Sequence, residues 1–164
     1  ARLKYQVGRH LDVDSRSVHA VIIGEHGDSE LPVWSGANVS GIDLNHFCEL
    51  RGHFNHEASM ERLYEEVRDS AYEIIERKGA TYYGIAMSVR RICACIIRNE
   101  RSILPVSSMM HGEYGVSDVC LSTLALVDNQ GVRGKILNQL TDGEIDKLRA
   151  SAEKLKAVIR QVEI

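Results

Sequence analysis

The sequence predicts an α+β fold, helices packed on antiparallel strands, and three local signals carry the prediction. From Met60 the apolar residues Met60, Leu63, Tyr64, Val67, Ala71, Ile74 and Ile75 recur at helical spacing, with charges opposite, until Gly79 ends the run. The tetrapeptide Asp128-Asn129-Gln130-Gly131 separates two strand-like runs, 120–127 and 132–137, as a hairpin turn with glycine supplying positive φ. Thr141-Asp142-Gly143-Glu144 is a capping box, an N-cap hydroxyl with a glutamate three residues on.

The other elements follow in order. An opening helix carries Leu3, Val7 and Leu11 on one face. His19 to Ile23 reads as a strand, and Leu31 to Val39 as a second extended segment with turns at Gly36 and Gly41. The stretch 45–58 is polar, histidine-rich and aperiodic, the pattern of a connecting loop. After the Met60 helix a further helix places Ile85, Val89, Ile92, Cys93 and Ile96 on one face. Ser102 to Met109 is β-prone around Pro105. The capping box opens a last helix that turns Ile145, Leu148, Ala152, Leu155, Ile159 and Val162 toward a core.

Composition fits one domain spanning residues 1–164. At 44% hydrophobic and 26% charged residues the chain reads as soluble and globular. A formal charge of −3 gives no electrostatic reason to expect nucleic acid or an anionic membrane as partner. No apolar stretch approaches the ~20 residues of a membrane span. The cysteines at 48, 93, 95 and 120 form no C-x-x-C pair and read as reduced thiols of a cytoplasmic protein. His46, His53 and His56 have no ordered ligand spacing beyond one H-x-x-H, so they read as solvated loop residues with no metal. The chain opens without Met, directly in a helical pattern, which reads as an internal start.

The most informative run is Val21-Ile22-Ile23-Gly24-Glu25-His26-Gly27-Asp28-Ser29. An apolar strand empties here into a loop headed by a histidine, the side chain best suited to give and recover a proton near neutrality. The run resembles the catalytic-histidine segment of the L-lactate dehydrogenases, and Glu30-Leu31-Pro32-Val33-Trp34-Ser35 continues the match. The resemblance covers the entire chain and implies the C-terminal domain fold of the lactate/malate dehydrogenases, without the Rossmann domain.

It implies roles residue by residue. His26 is the proton donor and acceptor. Arg2, in Ala1-Arg2-Leu3-Lys4-Tyr5, is the fork that grips the substrate carboxylate. Thr81, in Lys78-Gly79-Ala80-Thr81-Tyr82-Tyr83-Gly84, bounds a small substrate side chain, and Ile85 lies against the nicotinamide ring. Lys4 and His19 stand where bacterial relatives use an arginine and a histidine in an intersubunit fructose 1,6-bisphosphate site. Lysine keeps the charge there without the bidentate geometry.

The implied cofactor is NAD, held mainly by an N-terminal domain, since no G-x-G-x-x-G occurs in these 164 residues. The family's orienting aspartate and carbonyl-polarising arginine would lie upstream of Ala1. The implied substrates are pyruvate and lactate, and the implied assembly is a cytoplasmic homotetramer. Another 2-hydroxy acid, malate or branched-chain, stays open, as does a non-catalytic assembly module. These 164 residues by themselves are expected to be inactive.

Overall fold

The computed structural model describes residues 1–162. In chain order its elements are α1 (Arg2–Leu11), β1 (Val18–His19), β2 (Ile22–Ile23), β3 (Leu31–Pro32), β4 (Asn38–Val39), β5 (Ile42–Asp43), α2 (Leu44–Leu50), α3 (His56–Lys78), α4 (Tyr83–Ile97), β6 (Ser102–His111), β7 (Ser117–Asp128), β8 (Gly131–Lys135) and α5 (Asp142–Ile159). They group into two compact units: Ala1–Val21 with Pro32–Tyr83, and Ile22–Leu31 with the chain from Gly84 onward. Among the described residues no helix is long and apolar enough to cross a membrane.

In the first unit α1 packs on α3. Leu3, Val7 and Leu11 recur every four residues and are buried, as are Met60, Leu63, Tyr64 and Val67 of α3. Burying each such side chain contributes roughly 1.5–3 kcal/mol. Gly79 ends α3 in a left-handed cap, its N–H on the Ile75 carbonyl. A small antiparallel sheet runs β1-β4-β5, with Val18 opposite Val39 and Val39 opposite Ile42.

The second unit is built on the antiparallel meander β6-β7-β8. Along β7 the residues Val119, Leu121, Thr123, Ala125 and Val127 are buried and their neighbours are more exposed, the period of a sheet with one covered face. Helix α5 packs on β7 and turns Leu148, Ser151 and Ala152 inward. The hairpin pairs Asp128 with Gly131, whose φ of 90° is the conformation the sequence predicts, and the capping box forms in full.

Several expectations are corrected. The strand predicted at His19 to Ile23 is two short strands, because Val18–His19 pairs with β4 whereas Ile22–Ile23 pairs with β3. The extended segment 31–39 is broken by a 3₁₀ turn at Trp34–Gly36. The loop predicted at 45–58 instead contains α2 and the first turn of α3. Asp43 caps α2 by accepting from the Asn45 and His46 N–H groups, and Leu44 and Cys48, one turn apart, are buried. His56 is accordingly not solvated but buried, with Nδ1 3.2 Å from the His53 carbonyl. Helix α4 forms as expected, but Ile85 and Val89 on its predicted core face are exposed. Of the stripe predicted for the last helix only Leu148 and Ala152 are fully buried; Ile159 faces solvent, and Val162, also exposed, lies past the end of α5.

One ion pair ties the β6–β7 connection to the last residue of β8. Glu113 accepts the His111 N–H at 2.6 Å and lies 3.0 Å from Lys135 Nζ, whose ammonium also donates to the Met109 carbonyl. The His111 N–H and Glu113's own N–H, with Lys135, hold the Glu113 carboxyl at about 2, down from the usual 4.5. Between these values the unfolded chain binds the proton more readily than the folded one. The contribution is therefore complete above pH 4.5 and lost as pH falls toward 2. Acid unfolding followed by circular dichroism should show stability falling through this window. Glu113→Gln should make the fall shallower and cost about 1 kcal/mol at neutral pH.

Candidate active site

His26 sits three residues past the end of β2, where the backbone leaves the sheet. Gly24 starts that departure by exchanging both backbone hydrogen bonds with Ser122 of β7, each 2.9 Å. Its φ of 94° is unfavourable for any side chain, and a Cβ would come 3.0 Å from Ser151 Oγ and 3.2 Å from Leu31 Cδ2. Strand pairing and glycine together therefore set where the loop begins.

Beyond Gly24 the loop is held by hydroxyls. The Glu25 N–H donates to Ser151 Oγ at 2.9 Å, and Ser151 Oγ is 3.2 Å from Ser29 Oγ. Ser29 Oγ donates in turn to the Glu25 carboxylate. A turn closes the far side, with Glu30 N–H on the Gly27 carbonyl at 3.1 Å. The His26 imidazole projects from this frame with its side chain 98% exposed. Glu30 Oε2 stands 3.8 Å from Nδ1, within ion-pair range of a protonated ring but too far for a hydrogen bond.

Ser151, Glu25 and Ser29 are site residues that sequence reasoning missed. The available signal was Ser151 itself, a hydroxyl on the same face of α5 as Leu148 and Ala152, where a polar group has to find a partner.

The remaining expected site residues divide between the units. Arg2, Lys4, His19 and Thr81 belong to the first, His26 and Ile85 to the second. Arg2 opens α1 and is exposed. Its Nη1 donates to Ser70 Oγ on α3, and Ser70 passes its own proton to the Val67 carbonyl at 2.5 Å. A guanidinium has five N–H donors, so the Ser70 bond orients the fork and leaves capacity for a carboxylate. Lys4, half-buried on α1, and His19, exposed on β1, lie on elements that pack together. Thr81 is half-buried in the link between α3 and α4. Ile85, 54% exposed on α4 near Met87 and Val89, offers apolar surface.

A cavity of about 560 Å³ lies within the first unit, lined by Gln6, Arg62, Glu65, Glu66, Asp69, Ser70 and Glu73. Four carboxylates against one guanidinium repel an anion, so this cavity does not suit a carboxylate substrate. No group of three or more ligating side chains is assembled for a metal among the described residues. The chemistry within reach is proton transfer at His26 and carboxylate recognition at Arg2.

The fold has known relatives. The profile of the lactate/malate dehydrogenase alpha/beta C-terminal domain matches residues 1–164. The chain is 48% identical to the L-lactate dehydrogenase of Acetivibrio thermocellus, over all of this chain and 52% of that protein. It is also 48% identical to that of Priestia megaterium, over 95% of this chain and 49% of the relative. The crystal structure of a minor L-lactate dehydrogenase from Enterococcus mundtii in ligand-bound form superposes with a TM-score of 0.92 at 42% identity, covering 99% of this chain and 52% of that one. The L-lactate dehydrogenase of Clostridium thermocellum superposes with a TM-score of 0.88 at 37% identity, covering 99% and 53%. The chain spans about half the length of the relatives it matches. With the family profile matched from end to end, a fold shared with solved relatives and a histidine loop at the edge of its sheet, the chain belongs to the lactate/malate dehydrogenase family as its alpha/beta C-terminal domain.

Proposed function

We propose that this chain is the substrate-binding and catalytic domain of an NAD-dependent L-lactate dehydrogenase that interconverts pyruvate and (S)-lactate. The observation that carries the reading is His26, an imidazole 98% exposed on a loop pinned at both ends. A general acid needs that combination of access and fixed position. In pyruvate reduction His26, protonated, gives its proton to the carbonyl oxygen. In lactate oxidation it takes the proton back from the hydroxyl. Arg2 holds the carboxylate with two parallel hydrogen bonds and so fixes which face of the ketone is presented. Thr81 bounds the space beside the methyl group.

The exposed apolar side chain of Ile85 fits the face of a nicotinamide ring. The dinucleotide, when bound, supplies or accepts the hydride. These residues contribute only that apolar wall, because they contain no glycine-rich phosphate cradle. Assembly as a cytoplasmic homotetramer belongs to the same proposal, and the exposed Tyr83, Ile85, Met87 and Val89 of α4 supply apolar surface for domain or subunit contacts. Sedimentation of the full-length enzyme reads the assembly directly.

The substrate assignment is tested by comparing pyruvate, oxaloacetate and a branched 2-oxo acid as oxidants of NADH. We expect kcat/KM for pyruvate to lead by on the order of tenfold or more, the usual worth of pocket fit to a small side chain. Oxaloacetate or the branched acid in the lead would replace lactate by another 2-hydroxy acid.

A further inference from the structure

Ser151 is among the most buried polar side chains of the second unit, with 0% of its surface exposed, and it lies 126 residues from the Glu25 N–H it accepts. Donor bookkeeping fixes the direction of every bond around it. The Glu25 carboxylate can only accept, so the bond from Ser29 uses the one proton of Ser29. The remaining approach, 3.2 Å between the two hydroxyls, must then have Ser151 as donor. The result is a closed ring: Glu25 N–H to Ser151 Oγ, Ser151 O–H to Ser29 Oγ, Ser29 O–H to the Glu25 carboxylate.

The ring has one member outside the histidine loop. It joins residue 25 to residue 29 and so clamps both ends of His26-Gly27-Asp28 to α5. Two glycines complete the fit. A Cβ at Gly24 would come 3.0 Å from Ser151 Oγ, and one at Gly27 would come 2.9 Å from the Glu25 carboxylate.

We propose that Ser151 is a positioning residue for the reaction: its buried hydroxyl closes the hydrogen-bond ring that sets the geometry of the His26 loop. This inference rests on the proposed dehydrogenase activity, although the anchoring itself does not. Without the hydroxyl the part-buried Glu25 N–H loses its acceptor and Ser29 loses its donor. The loop then samples positions from which the imidazole misses the carbonyl oxygen, and misplacement of about 1 Å costs up to about a hundredfold in rate.

The test uses Ser151→Ala in the full-length enzyme, with Leu148→Val on the same buried face of α5 as comparator. A second variant, Ser29→Ala, breaks the ring from the loop side without touching the helix. We expect amide exchange at Glu25 to rise by about tenfold in Ser151→Ala, the worth of one lost hydrogen bond. We expect kcat for pyruvate to fall about 10- to 100-fold, with the NADH dissociation constant unchanged. Ser29→Ala should lower kcat in the same direction, and Leu148→Val should lose stability while keeping kcat. An unchanged Glu25 exchange rate, or a Ser151→Ala enzyme with wild-type kcat, overturns the proposal. If the unmodified enzyme reduces no 2-oxo acid, the dehydrogenase reading itself fails, and the exchange experiment still decides whether Ser151 anchors the loop.

Discussion

Replacing His26 by asparagine in the full-length enzyme is expected to lower kcat for pyruvate by about 10²–10⁴, the usual worth of a positioned general acid or base. Asparagine has similar bulk and can still donate a hydrogen bond, but it has no proton to transfer near neutrality. The His26 side chain is 98% exposed, so the substitution removes chemistry and almost no packing. Stability should therefore stay within about 0.5 kcal/mol of the unmodified protein, as for other surface changes. NADH binding should also persist, because the side chain proposed to face the cofactor here is Ile85. Stopped-flow single turnovers, combined with NADH fluorescence titration, separate these effects. A loss of tenfold or less would mean that another group protonates the ketone.

Arg2→Lys should be the second large effect, although it conserves charge. A site that works only by Coulomb attraction would lose little. A forked site loses one of two parallel charge-assisted hydrogen bonds, each worth roughly 1.5–3 kcal/mol, or about ten- to a hundredfold. Arg2 already spends one donor on Ser70, which orients the guanidinium at the start of α1. Lysine at this position has no plane to fix, so the carboxylate can pivot about a single contact. Pivoting turns the carbonyl away from the hydride donor, so kcat should fall while KM for pyruvate rises. Steady-state kinetics decide it. If both constants stay within about twofold of wild type, by the same rate arithmetic, Arg2 is only a solvated helix residue. Ser70→Ala should show a weaker form of the same defect, since it removes the orienting partner and keeps the fork.

The parts of the fold that could be read from the sequence are those specified within a few residues. Helix α3 from Met60 to its Gly79 cap, the turn closed by Gly131 and the Thr141–Glu144 box each follow from periodicity, glycine φ or a cap, and each appears as expected. Helix α2 could not be read that way. Its apolar signal is only Leu44 and Cys48, one turn apart within a polar stretch, and its cap is the aspartate just before it. The broken strand near Ala20 was illegible for another reason. Partner choice decides where a short strand ends, and β1 and β2 pair with different strands.

The site divides along the same line. His26, the glycine that starts its loop and the arginine at the head of α1 stand in contiguous motifs. The clamp on the His26 loop was not legible, because Ser151 and Glu25 are 126 residues apart in sequence. Burial can mislead in the opposite sense. The periodicity of Ile85 and Val89 suggests a core face, but both are exposed in the chain as described. An apolar stripe marks a surface to be covered and does not by itself say what covers it.

The central claim is that the exposed imidazole of His26 delivers the proton that completes reduction of a 2-oxo acid. The measurement that tests it most directly is the pH dependence of kcat/KM for pyruvate, recorded side by side for the full-length enzyme and for His26→Asn. Reduction needs the protonated ring, so kcat/KM of the unmodified enzyme should fall as pH rises. The His26→Asn enzyme, slower throughout, should lack that limb. The same limb in both proteins would contradict the account, because the proton would then not come from His26.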